Sequence, residues 1–383
     1  MCPGSFFRIE NKAKHITFHI KDAIKFSINK KYLPIRRKYI SDFFEHKVDE
    51  NTVLLIEPND CHHETLPGYY NYSKELGYKV EIAVLKNGDK SFSRVAPKPI
   101  TWIFSEKEMK FILSDERIKK YHRIIFNSKV TYKVNTHDEI DIEQFFPMLK
   151  NGKQKNIYVQ HHIDRRKSNS EIILANPTNN PDLKKFVVNP HYFGTVEITS
   201  KNADETNFIL VGDINRKSNT ILLAQVLDQL AEKKDKFKVT IIGYGNIGTV
   251  SDNAKKHLHI LGRVDYETMY QEIEKADFFL PLLDPDMQLH KRYLKDGTSG
   301  TFQLVYGFLK PCLIHKTFAD IYGFSNKNSI VYENNEMLYY AMLDAINMST
   351  QNYLKIQTGL KATVKKIKEE SLKNLDCIMN VEN

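Results

Sequence analysis

The stretch ADFFLPLLDPDMQLHKRYLKDGTSGTFQLVYGFLKPCLIH, Ala276 to His315, decides how the rest of the chain is read. Phe278 to Leu283 is a short apolar run bounded by Asp277 and by Asp284-Pro285, which is the pattern of a buried strand. A helix is predicted from about Thr301 to Leu309, with Ser299 and Gly300 at its mouth and Lys310-Pro311 closing it. The first turn of a helix has unpaired backbone N–H groups and about half a positive charge, so a mouth of this kind between two parallel strands suits a phosphate. An ordinary Ser/Thr cap is the competing reading.

Working outward, 383 residues exceed the length at which a single core keeps growing, so two domains are expected. A composition 41% hydrophobic and 27% charged is that of a globular protein, not a disordered one. The net charge of +9 favours anionic partners such as phosphorylated sugars or acidic lipid headgroups; nucleic acid shares that chemistry but is not expected as a partner. Cys2, Cys61, Cys312 and Cys377 are scattered without CxxC spacing, which indicates neither a disulfide framework nor a thiolate zinc site. No apolar run approaches about 18 residues and the N-terminus lacks an apolar leader core, so neither a transmembrane span nor a secretory signal is expected. The expected location is cytoplasmic.

Residues 1–50 form a basic N-terminal extension. Lys21 to Lys38 alternates apolar and basic groups, a texture that suits either an anionic membrane surface, at its inner face, or plain solvation, and Pro34 interrupts any single helix through it. From Thr52 the chain reads as alternating strands and helices: a strand at Val53 to Glu57, a helix at Leu66 to Leu76, a strand at Val80 to Leu85, strands at His122 to Asn127 and Lys155 to Gln160, and a helical stretch near Ile140 to Leu149. Ser168 to Pro181 reads as loop and hinge. The alternation restarts with strands at Asn207 to Val211, Phe237 to Ile242 and His257 to Leu261, a helix at Tyr266 to Lys275, and further helices toward the C-terminus. This is an α/β chain with parallel sheets: a first Rossmann-like domain over 51–195, a second over 196–350, and a last helix over 351–383 packing back on the first.

Gly243, Gly245 and Gly248 in GYGNIG spell a dinucleotide-binding fingerprint after a strand. The fingerprint needs a long crossover helix and an acid ending the next strand; here only Thr249 to Lys256 intervenes, and Leu261-Gly262-Arg263 ends that strand. A glycine turn that lets a ligand approach the backbone fits better than an NAD site.

In order, FILVGDINRKSNTILLAQVL, FKVTIIGYGN, HILGRVDYETMYQEIEKADFFLPL and SGTFQLVYGFLKPCLIH resemble the donor-binding domain of GT-B glycosyltransferases over about residues 205–335. EPNDCHHETLPGYYNYSKELGYKVEIAV looks like the first β-loop-α-β of that fold. The resemblance implies two Rossmann-like domains facing each other across a cleft, and transfer of a sugar from a nucleotide-activated donor to a glycan or lipid-linked acceptor without metal or other cofactor. It assigns Gly212, Arg216 and Lys217 to the donor diphosphate, Gly262, Arg263 and Val264 to the base, and Ser299, Gly300 and Thr301 to the phosphate-facing helix mouth. Gly243 belongs to the same donor side. Gln303 and Leu304 stand where many retaining members carry a ribose-binding glutamate, and Asp213 where they often have arginine.

The resemblance places the catalytic groups on the N-terminal side. Candidates are His62, His63 and Glu64 in the first loop and His161 and His162 after the strand NIYVQ, with His162 preferred as general base and His161 next. Histidines that merely cap strand ends are the competing reading, and no spacing among them supports a metal. Asp284 and Asp286 face sugar hydroxyls or make an Asx turn. Two other functions stay open: a catalytically inactive sugar-nucleotide or glycan binder, and a sugar-nucleotide epimerase of the same fold.

Overall fold

In a computed structural model the described residues are 33–380, apart from 133–138, 143–155, 162–170 and the single positions 176, 179, 197, 218, 235, 296 and 298. The first half is built on strands β1 (Thr52–Glu57), β2 (Lys79–Leu85), β3 (Ile100–Phe104), β4 (Arg123–Phe126), β7 (Asn156–Gln160) and β8 (Glu171–Leu174). They form one sheet in the order β3-β2-β1-β4-β7-β8, with every pairing parallel. Strands β5 (Val130–Tyr132) and β6 (Glu139–Asp141) make a separate antiparallel pair.

All six residues of β1 are buried because helices cover both faces of the sheet. Its side chains alternate between two cores: Val53 and Leu55 pack with Leu66, Tyr69 and Ile125, while Leu54 and Ile56 pack with Phe43, Phe104 and Tyr158. Phe43 comes from the helix Leu33–Glu45, where Pro34 sits in the first turn and costs no hydrogen bond. Residues 1–32 of the basic extension lie outside the described residues.

The second half repeats the plan. Strands β9 (Thr206–Asp213), β10 (Phe237–Tyr244), β11 (Leu258–Gly262) and β12 (Phe278–Phe279) pair in parallel in the order β11-β10-β9-β12. Strands β13 (Leu313–His315) and β14 (Ile330–Tyr332) continue it through a bridge between Phe279 and Cys312. In both sheets the first strand is flanked by the second and the fourth, which leaves a crevice beyond the carboxyl ends of β1 and β4 and of β9 and β12. The last helix, Thr350–Met379, ties the halves together: Tyr353 and Leu360 pack in the cores of the second, Leu375 and Met379 in the first.

Several expectations are corrected. The run Phe278 to Leu283 is a strand only at Phe278–Phe279; Pro281 has no N–H for the ladder, and the chain turns left-handed at Leu282 (φ 50°). The start of the expected helix near Ile140 is strand β6, since Ile140 and Ile142 alternate with acids at period two, and 143–149 lies outside the described residues. Ser168 to Pro181 is not all loop, for Glu171–Leu174 pairs with β7. Strand β3 and the helix Glu106–Ser114 were not anticipated.

Candidate functional site

The chain leaves β1 at Glu57, crosses a loop through His62, makes one 3₁₀ turn at His63–Thr65 and enters the helix Leu66–Glu75. His62 has φ 63° and ψ 13°, a left-handed conformation that costs a non-glycine residue about 1–2 kcal/mol. That conformation lays its imidazole on the His161 ring, with centroids 4.0 Å apart and planes 14° from parallel. His161 follows β7, and its Nε2 lies 2.7 Å from the main-chain oxygen of Asn127, which follows β4. A carbonyl only accepts, so Nε2 carries the proton and Nδ1 is the basic atom of the neutral ring.

Glu64 Oε1 lies 3.7 Å from His62 Nδ1. Burial opposes the charge on His62, but Cys61 and Glu64 beside it hold its pKa well above the ordinary value. Burial likewise opposes the Glu64 charge, yet His62 and, less strongly, His161 hold that carboxyl below the usual carboxylate range. The two make a charged pair. His63 is buried against Gly88, whose added Cβ would meet the His63 ring at 2.9 Å, and burial lowers its pKa, so it is neutral and takes no part in the stack. His162, preferred from sequence, lies outside the described residues.

Two buried residues that sequence reasoning missed, Glu57 and Asn127, lie under this cluster. Glu57 is fully buried; its Oε1 accepts from Asn59 N at 2.9 Å, and its Oε2 from Asn127 Nδ2 and Ser128 Oγ, both at 2.7 Å. Burial pushes its pKa up to about 7, against the pull of His62 and these three donors. A glutamate ending the otherwise apolar run Val53 to Ile56 was the available signal.

On the facing side, Gly300 occupies the N-cap of the helix Thr301–Phe308, and no side chain caps it. Ser299 is buried, and the Thr301 hydroxyl is spent on Val211 O at 3.2 Å, so the Ser/Thr-cap reading does not hold. The mouth opens toward the histidine cluster: a Cβ on Gly300 would stand 3.9 Å from Glu64 Oε1. Gly212 (φ 134°) has open space around it, while a Cβ on Gly243 would meet Gly212 O at 1.8 Å. Arg216 and Lys217 end the short helix Ile214–Lys217. Gly262 turns left-handed (φ 65°), Arg263 is exposed over the Tyr244 ring at 5.4 Å, and Val264 packs into the core. Gln303 is buried and reaches across to the first half, donating to Ala175 O at 3.2 Å. Asp284 makes the Asx turn, accepting from Asp286 N at 2.8 Å and from Asn219 Nδ2 at 2.6 Å. Among the described residues no group of three His, Cys, Asp or Glu is placed to hold a metal.

A glycosyltransferase from Rickettsia africae ESF-5 has a similar structure, with a TM-score of 0.53 and 12% identity over 86% of this chain and 98% of that one. The fold is GT-B. HepE from Anabaena, solved with UDP, matches with a TM-score of 0.49 and 10% identity over 85% of this chain and all of that one. A putative UDP-N-acetylglucosamine 2-epimerase from Listeria monocytogenes matches at 0.48 and 10% identity, over 81% and 91%. No family model matches the chain, and no curated protein matches its sequence. In this GT-B chain the His62, Glu64 and His161 cluster belongs to the first Rossmann-like half and the uncapped helix mouth to the second.

Proposed function

We propose that the chain transfers a sugar from a nucleotide-activated donor to a glycan or lipid-linked acceptor without a metal. The observation that carries this reading is the meeting of two kinds of chemistry across the crevice. An uncapped helix mouth at Gly300 lies next to the His62, Glu64 and His161 cluster of the other half. The positive end of the helix dipole suits the donor diphosphate, with Arg216 and Lys217 adding positive charge as the nucleoside diphosphate departs. His161 is the general base for the acceptor hydroxyl. The His62 ring stacked on it at 4.0 Å fixes where that base stands.

The test is a thermal-shift panel of nucleoside diphosphates and nucleotide sugars, followed by assays of transfer, donor hydrolysis and epimerisation on those that bind, with and without EDTA. Ligands that bind only the folded state raise its melting point. The reading expects one diphosphate series to raise it, and turnover to persist in EDTA. A melting point that no nucleotide moves would refute the donor site, binding without turnover would favour the inactive binder, and sugar conversion without an acceptor would favour the epimerase.

A further inference from the structure

We propose that Glu57 and Asn127 form a positioning pair: Asn127, anchored by the Glu57 carboxyl, holds both the His62 loop and the His161 ring in their stacked arrangement. This rests on the transfer reading for its purpose but not for its geometry.

Asn127 is fully buried at the carboxyl end of β4, beside the end of β1, where the strand order of the first sheet reverses. Its Nδ2 donates to Glu57 Oε2 at 2.7 Å and to His62 O at 2.9 Å. Its Oδ1 lies 2.7 Å from the Thr65 hydroxyl, and its main-chain oxygen takes the His161 N–H at 2.7 Å. The amide has one workable orientation, since turning it over would set Oδ1 against the His62 carbonyl oxygen, which only accepts. The single Thr65 hydroxyl proton is shared between Asn127 Oδ1 and His62 O, at 2.8 Å, while the Thr65 N–H donates to His62 O at 3.2 Å, so the asparagine amide and this N–H converge on the carbonyl of the one residue of this loop held left-handed. One asparagine therefore fixes the strained backbone that aims the His62 ring and the bond that sets the plane of the His161 ring.

Glu57 explains why the asparagine stays put. A buried carboxyl with no cation in salt-bridge contact among the described residues is costly, and it persists here with three donors arranged around it. A glutamine in its place would turn an N–H₂ toward either the Asn59 N–H or the Asn127 and Ser128 donors.

The experiment compares the full chain with Asn127→Asp, Glu57→Gln and Thr65→Val. Imidazole NMR of the unliganded protein reads the contact between the His62 and His161 rings, and steady-state kinetics read kcat and donor KM separately. In Asn127→Asp the ring contact should be lost and kcat should fall about 10²-fold, with donor KM within about two-fold, because a misplaced catalytic group costs rate more than binding. Glu57→Gln should move both readouts the same way by a smaller factor. Thr65→Val, which leaves the bond between Glu57 and Asn127 intact, should lower the melting point yet keep the ring contact, separating loss of stability from loss of position. Should Asn127→Asp fail to fold, Glu57→Gln decides. Unchanged ring contact and kcat in the folded variants would overturn the proposal. If the parent moves no sugar from any donor while the contact still breaks, the transfer reading falls and the positioning role stands.

Discussion

At the residue scale, Glu57 makes a prediction about stability. Burial raises its carboxyl from 4.5 to about 7, so the folded chain binds this proton more tightly than the unfolded chain does. Its contribution is therefore fully present below about pH 4.5 and is lost as the pH rises through 7, amounting to on the order of 3 kcal/mol. Glu64 has the opposite sign: its folded value is depressed, so its contribution is present above pH 4.5 and lost in acid. Urea unfolding at stepped pH should show the parent losing stability relative to Glu57→Gln between about pH 4.5 and 7. Parallel curves would mean that the carboxyl is not perturbed. For catalysis, His161→Ala should lower kcat by about 10² to 10⁴ with little change in donor affinity. Activity within a few-fold of the parent would move the role of base to the neighbouring His162.

At the element scale, the helix Thr350–Met379 holds the two halves in one structure, and at Gly359 it lies close against the loop before β14. Exchanging an exposed mid-helix glycine for alanine usually gains about 1 kcal/mol. Here a Cβ would stand 2.0 Å from Lys327 O, a backbone atom that cannot swing away, so the sign should reverse. Gly359→Ala is expected to cost about 2 kcal/mol, read as a lower urea midpoint. A stabilised variant would show that the helix sits further from the loop before β14. The helix Thr301–Phe308 is held close in the same way, because a Cβ on Gly307 would strike Phe193 at 2.3 Å and His191 O at 2.5 Å.

At the scale of the whole molecule, the halves touch through paired side chains as well as through the last helix. Arg94 forms an ion pair with Glu274 and lies over the Phe308 ring, and the Tyr270 hydroxyl donates to Ser91 O at 3.4 Å. Charge is distributed unevenly. Of the net +9, residues 1–38 hold +8, with ten Lys and Arg against two Asp and Glu, so the remaining residues are close to neutral. No described helix is long and apolar enough to cross a membrane. A basic segment interleaved with Ile and Phe suits an anionic lipid surface, each cation adding about 1 kcal/mol that salt screens. In flotation assays the full chain is expected to bind phosphatidylserine vesicles at 0.1 M salt and to lose that binding at 0.5 M or on removal of residues 1–32. Equal binding to neutral vesicles would refute an electrostatic anchor.

The class of fold was legible because buried parallel strands must be apolar runs and their crossovers must be amphipathic helices, so VLLIE, VEIAVL, NFILV and KVTII announced two parallel sheets. The helix mouth at Ser299 to Thr301 was legible for a similarly local reason, a polar turn between an apolar run and a helix. Even so, some local signals went unread: Ser105 and Glu108 spell the capping box that opens Glu106–Ser114. The site was half legible. Adjacent histidines after strands marked two loops, but whether a ring stacks in the crevice, as at His62 and His161, or packs inward, as at His63, depends on a backbone angle and on the neighbour across the sheet. The roles of Glu57, Asn127 and Gln303 belong to the tertiary structure alone. A hydrogen bond between residues 57 and 127, or 175 and 303, exists only once elements distant in sequence lie side by side, and pattern along the chain has no access to it.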